Sequence, residues 1–189
     1  MIGMRRRVVS AGLMFTALLF VGAALPLYSS RPEPGAPSNR LTDSPTILYV
    51  VRHAEKVDES PAADLNEAGR ARAELLAWML RDVSLDAVLS TDVPRTRSTV
   101  TPVAQAHKLE VASYSPAPGR LRGSLLGEYR GKCVLVGGHS NTIPQLLGEL
   151  GTPIEEKILP GYDDLFLVVI PPGEGSEPVM HRLHYPAHR

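Results

Sequence analysis

The sequence of 189 residues predicts an α/β fold in which helices flank a mostly parallel central sheet. Residues 47–51 form an unbroken apolar run rich in β-branched residues, which suits a strand buried on both faces, and the short, mostly apolar runs at residues 85–89 and 132–136 predict two further strands. Each run is followed, after a polar stretch, by apolar residues at helical spacing. Strands that alternate with helices in this way are typical of α/β domains.

Polar side chains follow these three strands. Arg52 and His53 come directly after the first strand, Arg95 lies just beyond the second, and His139 lies just beyond the third. In open α/β sheets ligands bind at the carboxyl ends of the strands, and neighbouring ends can converge on one pocket. Two guanidinium groups and two imidazoles therefore predict an anion site there.

The first helices are predicted from their ends. Asn66 is expected to cap a helix whose apolar residues continue to residue 83, and Trp78 on its flank is expected to pack rather than bind a ligand. Pro94 suits the first turn of the next helix. Pro102 should kink or interrupt that helix, because an interior proline loses a hydrogen bond and crowds the preceding turn.

The second half of the domain reads less clearly. Residues 111–122 are rich in Pro and Gly and predict a loop, and residues 121–129 predict a short helix. Asn141 or Thr142 should cap a helix that runs to residue 150, where Gly151 and Pro153 stop it. Residues 165–170 predict another strand, and residues 179–185 predict a last strand at the edge of the sheet.

The amino terminus predicts export. Three consecutive arginines, at residues 5–7, precede an apolar run at residues 8–27 that is long enough to cross a bilayer as a helix. Residues 1–28 are therefore predicted to be a signal anchor or a cleaved signal peptide, and the sequence leaves both open. Residues 29–45, rich in Pro and Ser, predict a flexible linker, and residues 46–189 form the domain. The expected location is membrane-anchored or periplasmic, outside the cytoplasm.

Composition excludes several classes of protein. Lys plus Arg and Asp plus Glu each number 20, so no basic excess attracts nucleic acid. Cys133 is the single cysteine, which rules out an intrachain disulfide. His181, His184 and His188 lack a cysteine or a suitably spaced carboxylate, so no metal is expected, and no cofactor is expected either. A Walker-type glycine-rich loop is absent from the sequence, which leaves a nucleotide-hydrolysing motor unsupported.

Three blocks of the sequence carry a resemblance. They read Arg-His-Ala-Glu at residues 52–55, Ser-Thr-Asp-Val-Pro-Arg-Thr at residues 90–96 with Thr99, and Gly-His-Ser-Asn at residues 138–141. The chain resembles the histidine phosphatase superfamily, also called the phosphoglycerate mutase-like family, over about residues 46–170, and it looks most like the small phosphatases. The resemblance implies a phosphoglycerate mutase-like three-layer sandwich. Ala54 departs from the glycine that is common at this position of the family.

The chemistry of the residues agrees with this resemblance. His53 is the expected nucleophile, because a neutral imidazole avoids charge repulsion with a phosphate and forms a phosphohistidine that water hydrolyses. Arg52 and Arg95 match phosphate oxygens with their planar forks. His139, expected to be protonated, adds a donor, and the backbone N–H of Ser140 is a weaker candidate for phosphate binding.

The general acid is left open by the sequence. Many members of the superfamily take an acid from the region after the second block, but residues 111–127 contain no Asp or Glu. Five carboxylates remain as candidates: Glu55, Asp64, Asp92, Asp163 and Asp164. Without a dedicated acid, the enzyme should act best on esters or phosphoramidates with good leaving groups.

Three functions are weighed. The preferred one is a phosphatase that acts on a small phosphorylated substrate without a cofactor. The alternatives are a catalytically silent module that binds a phosphorylated ligand, and a phosphomutase of the same fold. Retention of His53 argues against the silent module, because binding alone does not require a nucleophile. The substrate and the oligomeric state are not fixed by these residues.

Overall fold

A computed structural model describes residues 44–173 and 175–186. In chain order, strands β1 to β6 are Thr46–Arg52, Ala87–Ser90, Val111–Ser113, Cys133–Gly138, Asp164–Ile170 and Val179–His184. Helices α1 to α4 are Glu67–Leu80, Pro94–Ala106, Arg120–Leu126 and Thr142–Glu149. The predicted signal segment, residues 1–28, lies outside the described residues. Within the described residues, no helix combines the length and the apolar character needed to span a bilayer.

All six strands form one sheet in the order β3-β2-β4-β1-β5-β6. The first four strands of this order are parallel, whereas β5 runs antiparallel to β1 and β6 runs antiparallel to β5. The predicted mixed α/β fold with a mostly parallel sheet is confirmed. The two antiparallel strands bring the chain back to the site from the opposite direction, which the sequence did not predict.

Helices cover both faces of the sheet. Alternate residues of β1 face opposite sides, with Leu48 and Val50 in one core cluster and Val51 in the other. The first cluster contains apolar residues of α3 and α4, and the second contains those of α1 and α2. The three-layer arrangement that the resemblance implied is therefore present.

Local predictions were met unevenly. The side chain of Asn66 accepts a hydrogen bond from the N–H of Gly69 at 2.9 Å and caps α1 as expected. Of the two expected effects of Pro102, a kink or an interruption of α2, the interruption is wrong, because the helix continues through Pro102. Val100, Val103 and Ala104, which flank Pro102, are buried, and this packing offsets the lost hydrogen bond.

Two further expectations are corrected. Part of the predicted loop at residues 111–122 is strand β3, which pairs in parallel with β2 and completes one edge of the sheet. Trp78 is 63% exposed and does not pack into the core. Its ring instead stacks on the guanidinium of Arg81, with 4.4 Å between Cζ and the ring centroid.

Candidate active site

The predicted strand ends lie side by side. Strands β2, β4 and β1 are adjacent and parallel, so their carboxyl ends share one edge of the sheet. Arg52, the last residue of β1, is in register with Gly138, the last residue of β4. The backbone N–H of His53 donates to the carbonyl of Gly138 at 2.9 Å, which joins the first block to the third.

The two histidines of these blocks face one another. The ring centroids of His53 and His139 are 5.5 Å apart, and the ring planes cross at 61°. His53 is buried, with 4% of its surface exposed, and His139 is half-buried. The rings are therefore close enough for both to contact one phosphate group.

The tautomer of His53 follows from its hydrogen bond. Its Nδ1 lies 2.9 Å from the carbonyl oxygen of Ala54, which can only accept, so Nδ1 carries the proton. Nε2 is left with the lone pair that a nucleophile needs. The N–H of Ala54 donates to Oγ1 of Thr99 at 2.9 Å, and that hydroxyl donates to the carbonyl of Arg95 at 2.8 Å. Thr99 therefore connects the first block to the start of α2.

The departure at Ala54 is accommodated by packing. Its methyl group is fully buried in a small apolar cluster with Leu65 and Ala73. The residue therefore adds an apolar contact between α1 and the loop of residues 53–66 that follows β1, called the site loop below. No positive backbone angle is required at this position.

The surroundings of His53 favour its neutral form. Burial lowers its pKa, and the positive charges of Arg52 and Arg95 together with His139 lower it further, against the raising effect of the hydrogen bond to Ala54. The resulting pKa is about 4, well below the ordinary 6.5. The imidazole is therefore an unprotonated base in neutral solution.

His139 is held by two threonines. Its Nε2 lies 2.9 Å from Oγ1 of Thr91, and its backbone N–H donates to Oγ1 of Thr142 at 3.0 Å. Burial lowers its pKa, and the charges of Arg95 and Arg52 add to that effect. This lowering runs against the expectation of a protonated His139 as long as no phosphate is bound. A phosphate anion placed beside it would shift its pKa upward.

Arg52 is fixed by neutral partners. Its Nη1 donates to the carbonyl oxygens of Leu159 and Gly161, both at 2.9 Å. Its guanidinium stacks on the ring of Tyr162, with 4.1 Å between Cζ and the ring centroid. Its buried Nε has no hydrogen-bond partner among the residues that the structure describes.

Arg95 repeats this pattern in the first turn of α2. Its Nη1 donates to the carbonyl of Pro61 at 2.8 Å, while its buried Nε is also without a partner in the described part of the chain. Leaving a buried charged donor unpaired is costly, so two such donors near paired imidazoles indicate a site built for an anion.

Ser140 lies just before α4, and its carbonyl accepts a hydrogen bond from the N–H of Leu159 at 2.9 Å.

The candidate general acids are engaged elsewhere. Glu55 forms a two-pronged ion pair with Arg72, with 2.6 Å between Oε1 and Nη2. Burial raises the pKa of Glu55, but the hydrogen bonds and charge of Arg72 outweigh it and hold the pKa below its ordinary value. A carboxylate held in the ionised form is a poor proton donor.

The other four carboxylates also have partners. Asp164 is buried and paired with Arg182, with 2.6 Å between Oδ1 and Nε. Asp163 lies 3.6 Å from Nδ1 of His184. The remaining partners are Ser113 and Arg97 for Asp92, and the N–H of Leu65 for Asp64.

One group of potential metal ligands was missed by the sequence. Asp163, Asp164 and His184 offer ligand atoms within 4.8 Å of one another, so the statement that no suitably spaced carboxylate accompanies His184 is wrong. Arg182 already occupies both oxygens of Asp164, which makes this an ion-pair cluster. His188 lies outside the described residues.

Sequence reasoning also missed part of the site. Thr91 stands inside the second block but was given no role. Tyr162 was missed altogether, because its loop reaches the site only through the reversed direction of β5. The ring of Tyr162 lies 5.7 Å from that of His53, centroid to centroid.

Comparison with known proteins supports the resemblance. Residues 48–115 match the sequence model of the histidine phosphatase superfamily (branch 1). No curated protein sequence matches the chain.

Solved structures of several phosphatases and mutases share the fold. A mycobacterial glucosyl-3-phosphoglycerate phosphatase has a TM-score of 0.54 at 15% identity, covering 66% of this chain and 90% of its own. A protein assigned as the phosphohistidine phosphatase SixA from Agrobacterium tumefaciens has a TM-score of 0.52 at 24% identity, covering 66% and 91%. A phosphoglycerate mutase from Bacillus anthracis has a TM-score of 0.56 at 15% identity, covering 77% and 94%.

These findings together bear on the predicted resemblance. The predicted resemblance to the histidine phosphatase superfamily is confirmed, by the fold of the domain and by the sequence of residues 48–115. The structural neighbours include both phosphatases and a mutase, and at these identities they establish the shared fold alone.

Proposed function

We propose that the protein is a phosphatase that hydrolyses a phosphate monoester or a phosphoramidate through a phosphohistidine on His53. The observation that carries the proposal is the pairing of His53 with His139, 5.5 Å between ring centroids, beside two guanidinium groups whose buried Nε donors have no partner among the described residues. A nucleophile, a second imidazole and fixed positive charge are the parts that phosphoryl transfer needs.

The proposed reaction has two steps. The lone pair on Nε2 of His53 attacks phosphorus, the bond from phosphorus to the leaving oxygen or nitrogen breaks, and the leaving group keeps the electron pair and takes a proton. Water then attacks the phosphohistidine, the phosphorus–nitrogen bond breaks, and inorganic phosphate leaves. Arg52, Arg95 and His139 stabilise the negative charge of the transferring group in both steps.

The ion pairs of the carboxylates limit which leaving groups the site can accept, because a paired carboxylate is a poor proton donor. Glu55, Asp164 and Asp92 are each engaged by an arginine in the described structure. A leaving group that departs without a proton from a protein carboxylate, such as an aryl oxide or an imidazole already protonated on its other ring nitrogen, is therefore the preferred class. Small phosphorylated molecules are the proposed substrates.

A phosphomutase is the second candidate, because a phosphoglycerate mutase shares the fold. Both enzymes would pass through a phosphohistidine, and they differ in whether water or a second hydroxyl accepts the phosphoryl group. The proposed location outside the cytoplasm rests on residues 1–28 of the sequence alone.

The proposal is tested by hydrolysis of p-nitrophenyl phosphate with the purified full-length protein, and by trapping acid-labile phosphate on the chain after rapid quenching. His53→Ala should abolish both signals. Arg95→Lys should reduce kcat/KM by about 100-fold, because a point charge replaces a planar fork. His181→Ala, on the exposed edge strand β6, is the matched control and should retain full activity.

Three results would contradict the proposal. Hydrolysis that survives in His53→Ala would exclude this nucleophile. Transfer of the phosphoryl group to a sugar or glycerate hydroxyl, without release of inorganic phosphate, would favour the mutase. Absence of both turnover and trapped phosphate in the wild type would leave the silent binding module.

A further inference from the structure

The site has a wall that none of the three sequence blocks supplies. The loop just before β5 runs from Leu159 to Tyr162, and β5 is antiparallel to β1. This direction places the start of β5 beside the carboxyl end of β1, where Val51 pairs with Leu165. The loop therefore reaches Arg52 and His53 from β5, the strand on the side of β1 opposite to β4.

The loop is firmly attached at its first residue. Leu159 is buried, with 1% of its surface exposed, and its N–H donates to Ser140 at 2.9 Å. Its carbonyl and that of Gly161 both accept from Nη1 of Arg52. One guanidinium nitrogen is thus fully occupied by the loop backbone, while the buried Nε stays unpaired.

Tyr162 completes this contact through its ring. The ring lies under the guanidinium plane, 4.1 Å from Cζ of Arg52, a geometry in which the aromatic face attracts the cation. The same ring lies 5.7 Å from the ring of His53 with an interplanar angle of 54°. A single side chain therefore contacts both the proposed nucleophile and one phosphate-binding arginine.

We infer that Tyr162 is a positioning residue of the site, which holds the fork of Arg52 in the plane needed for phosphate and shields the imidazole of His53 from water. The inference rests on the proposed phosphatase function. The carbonyls of Leu159 and Gly161 restrain one end of the guanidinium, and the ring restrains its plane. Arg52 is thereby preorganised by neutral groups and forms no salt bridge with a carboxylate of the described residues.

The ring also contributes to the environment of His53. The charged and titratable groups that act on this imidazole are Arg52, Arg95 and His139, and Glu55 lies nearby on the same loop. None of these groups belongs to the loop of residues 159–162, so the contribution of Tyr162 is exclusion of water. Removing the ring should hydrate the imidazole and make its protonation easier.

The test compares Tyr162→Phe, Tyr162→Leu and Tyr162→Ala in the full-length protein. Loss of the ring in the Leu and Ala variants should lower kcat/KM for p-nitrophenyl phosphate by about 10- to 100-fold, since small misplacements of a positioned group carry costs of this size. Tyr162→Phe keeps the ring and should stay close to the wild type. Trp78→Ala removes a similar stack on Arg81 from the surface of α1 and is the matched control.

A second readout separates positioning from simple loss of structure. NMR titration of the His53 imidazole should show a higher pKa in Tyr162→Leu and Tyr162→Ala than in the wild type. The pKa of His53 should be unchanged in Trp78→Ala. Inorganic phosphate should bind more weakly to the same two variants. Both measurements work without turnover, so an inactive wild type would overturn the proposed function and still leave Tyr162 under test.

Three results would overturn the inference. The first is an unchanged His53 titration together with unchanged phosphate affinity in the Leu and Ala variants. The second is an equal loss in Tyr162→Phe, which would assign the effect to the hydroxyl. The third is loss of the native circular dichroism spectrum in both ring-deleted variants, which would make Tyr162 a residue of the fold.

Discussion

At the scale of single residues, the surroundings of His53 set its pKa and its tautomer. Burial and positive neighbours act in the same direction on its pKa, and the carbonyl of Ala54 fixes the proton on Nδ1. An exposed histidine would be partly protonated in mildly acidic solution, and the protonated ring cannot attack phosphorus. The fold therefore keeps the imidazole of His53 unprotonated, and a phosphate anion bound beside His139 would favour the protonated form of that ring.

The pKa of His53 can be measured directly. The free-base form should persist as the pH falls until about pH 4, where the imidazole becomes protonated, so NMR of the phosphate-free protein should give a midpoint there. Arg95→Met removes a positive charge that disfavours the imidazolium and should move this midpoint upward. A midpoint near the ordinary 6.5 in the wild type would contradict the account of the site.

The residue types of the site were predictable from the sequence, whereas their protonation was not. Arg52, His53, Arg95 and His139 stand at strand ends, and strand ends are visible as short apolar runs. The lowered pKa of His139 depends on burial and on charges that only the folded structure places around it.

At the scale of elements, the start of α1 is fitted closely to the site loop. A Cβ added to Gly69 would lie 2.2 Å from the carbonyl oxygen of Glu55, which is backbone and cannot rotate away. The same carbonyl accepts a hydrogen bond from the N–H of Asn66 at 3.0 Å. The close approach of α1 therefore supports the peptide that follows His53 and Ala54.

Gly69→Ala tests this fit. The added methyl group should push α1 from the site loop and destabilise the protein by about 1–3 kcal/mol, as overpacking does. Gly148→Ala is the matched control, because its Cβ meets nothing within 4 Å and it lies inside α4. That substitution should stabilise the protein by about 0.5–1 kcal/mol. Thermal unfolding measures both, and a Gly69→Ala variant as stable as the wild type would contradict the fit.

The elements themselves were predicted more reliably than their directions. The strands at residues 47–51 and 165–170 were recognised because each is a continuous apolar run. Such a run reads the same whether the strand is parallel or antiparallel to its neighbour, so the reversal of β5 and the placement of Tyr162 were hidden. Strand β3 was missed because only three residues of it pair with β2.

At the scale of the whole molecule, Arg72 joins distant parts of the chain. This residue of α1 is buried, with 6% exposed, and its guanidinium bonds both oxygens of Glu55 beside the site. Its Nη1 also donates to the carbonyl of Tyr185 at 2.7 Å, just after β6. The site loop, the first helix and the end of the sheet are thus held by one side chain. A contact over 113 residues of sequence cannot be read from local patterns.

Arg72→Gln should destabilise the protein by about 3 kcal/mol in neutral solution, because it leaves the ionised Glu55 without its partner. The pKa of Glu55 is lowered in the folded wild type, so the stability from this pair is present above the ordinary pKa and is lost as the pH falls through the lowered one. The difference in stability between wild type and variant should therefore narrow in acid.

Urea unfolding at a series of pH values measures this difference. Arg81→Gln, which removes an exposed pair with Asp82, is the control and should change stability by less than about 0.5 kcal/mol. A difference between wild type and Arg72→Gln that stays constant with pH would show that the charge of Glu55 is not involved.

The reversed strand β5 brings a second, distant segment of the chain beside Arg52 and His53. The two imidazoles and the two arginines of the candidate site lie on three recognisable blocks, whereas Leu159, Gly161 and Tyr162, which contact Arg52, lie on a loop outside these blocks. A search of a sequence for the three blocks therefore finds the candidate site without the loop that holds Arg52. Exchanging residues 159–162 while keeping the blocks would show what this loop contributes.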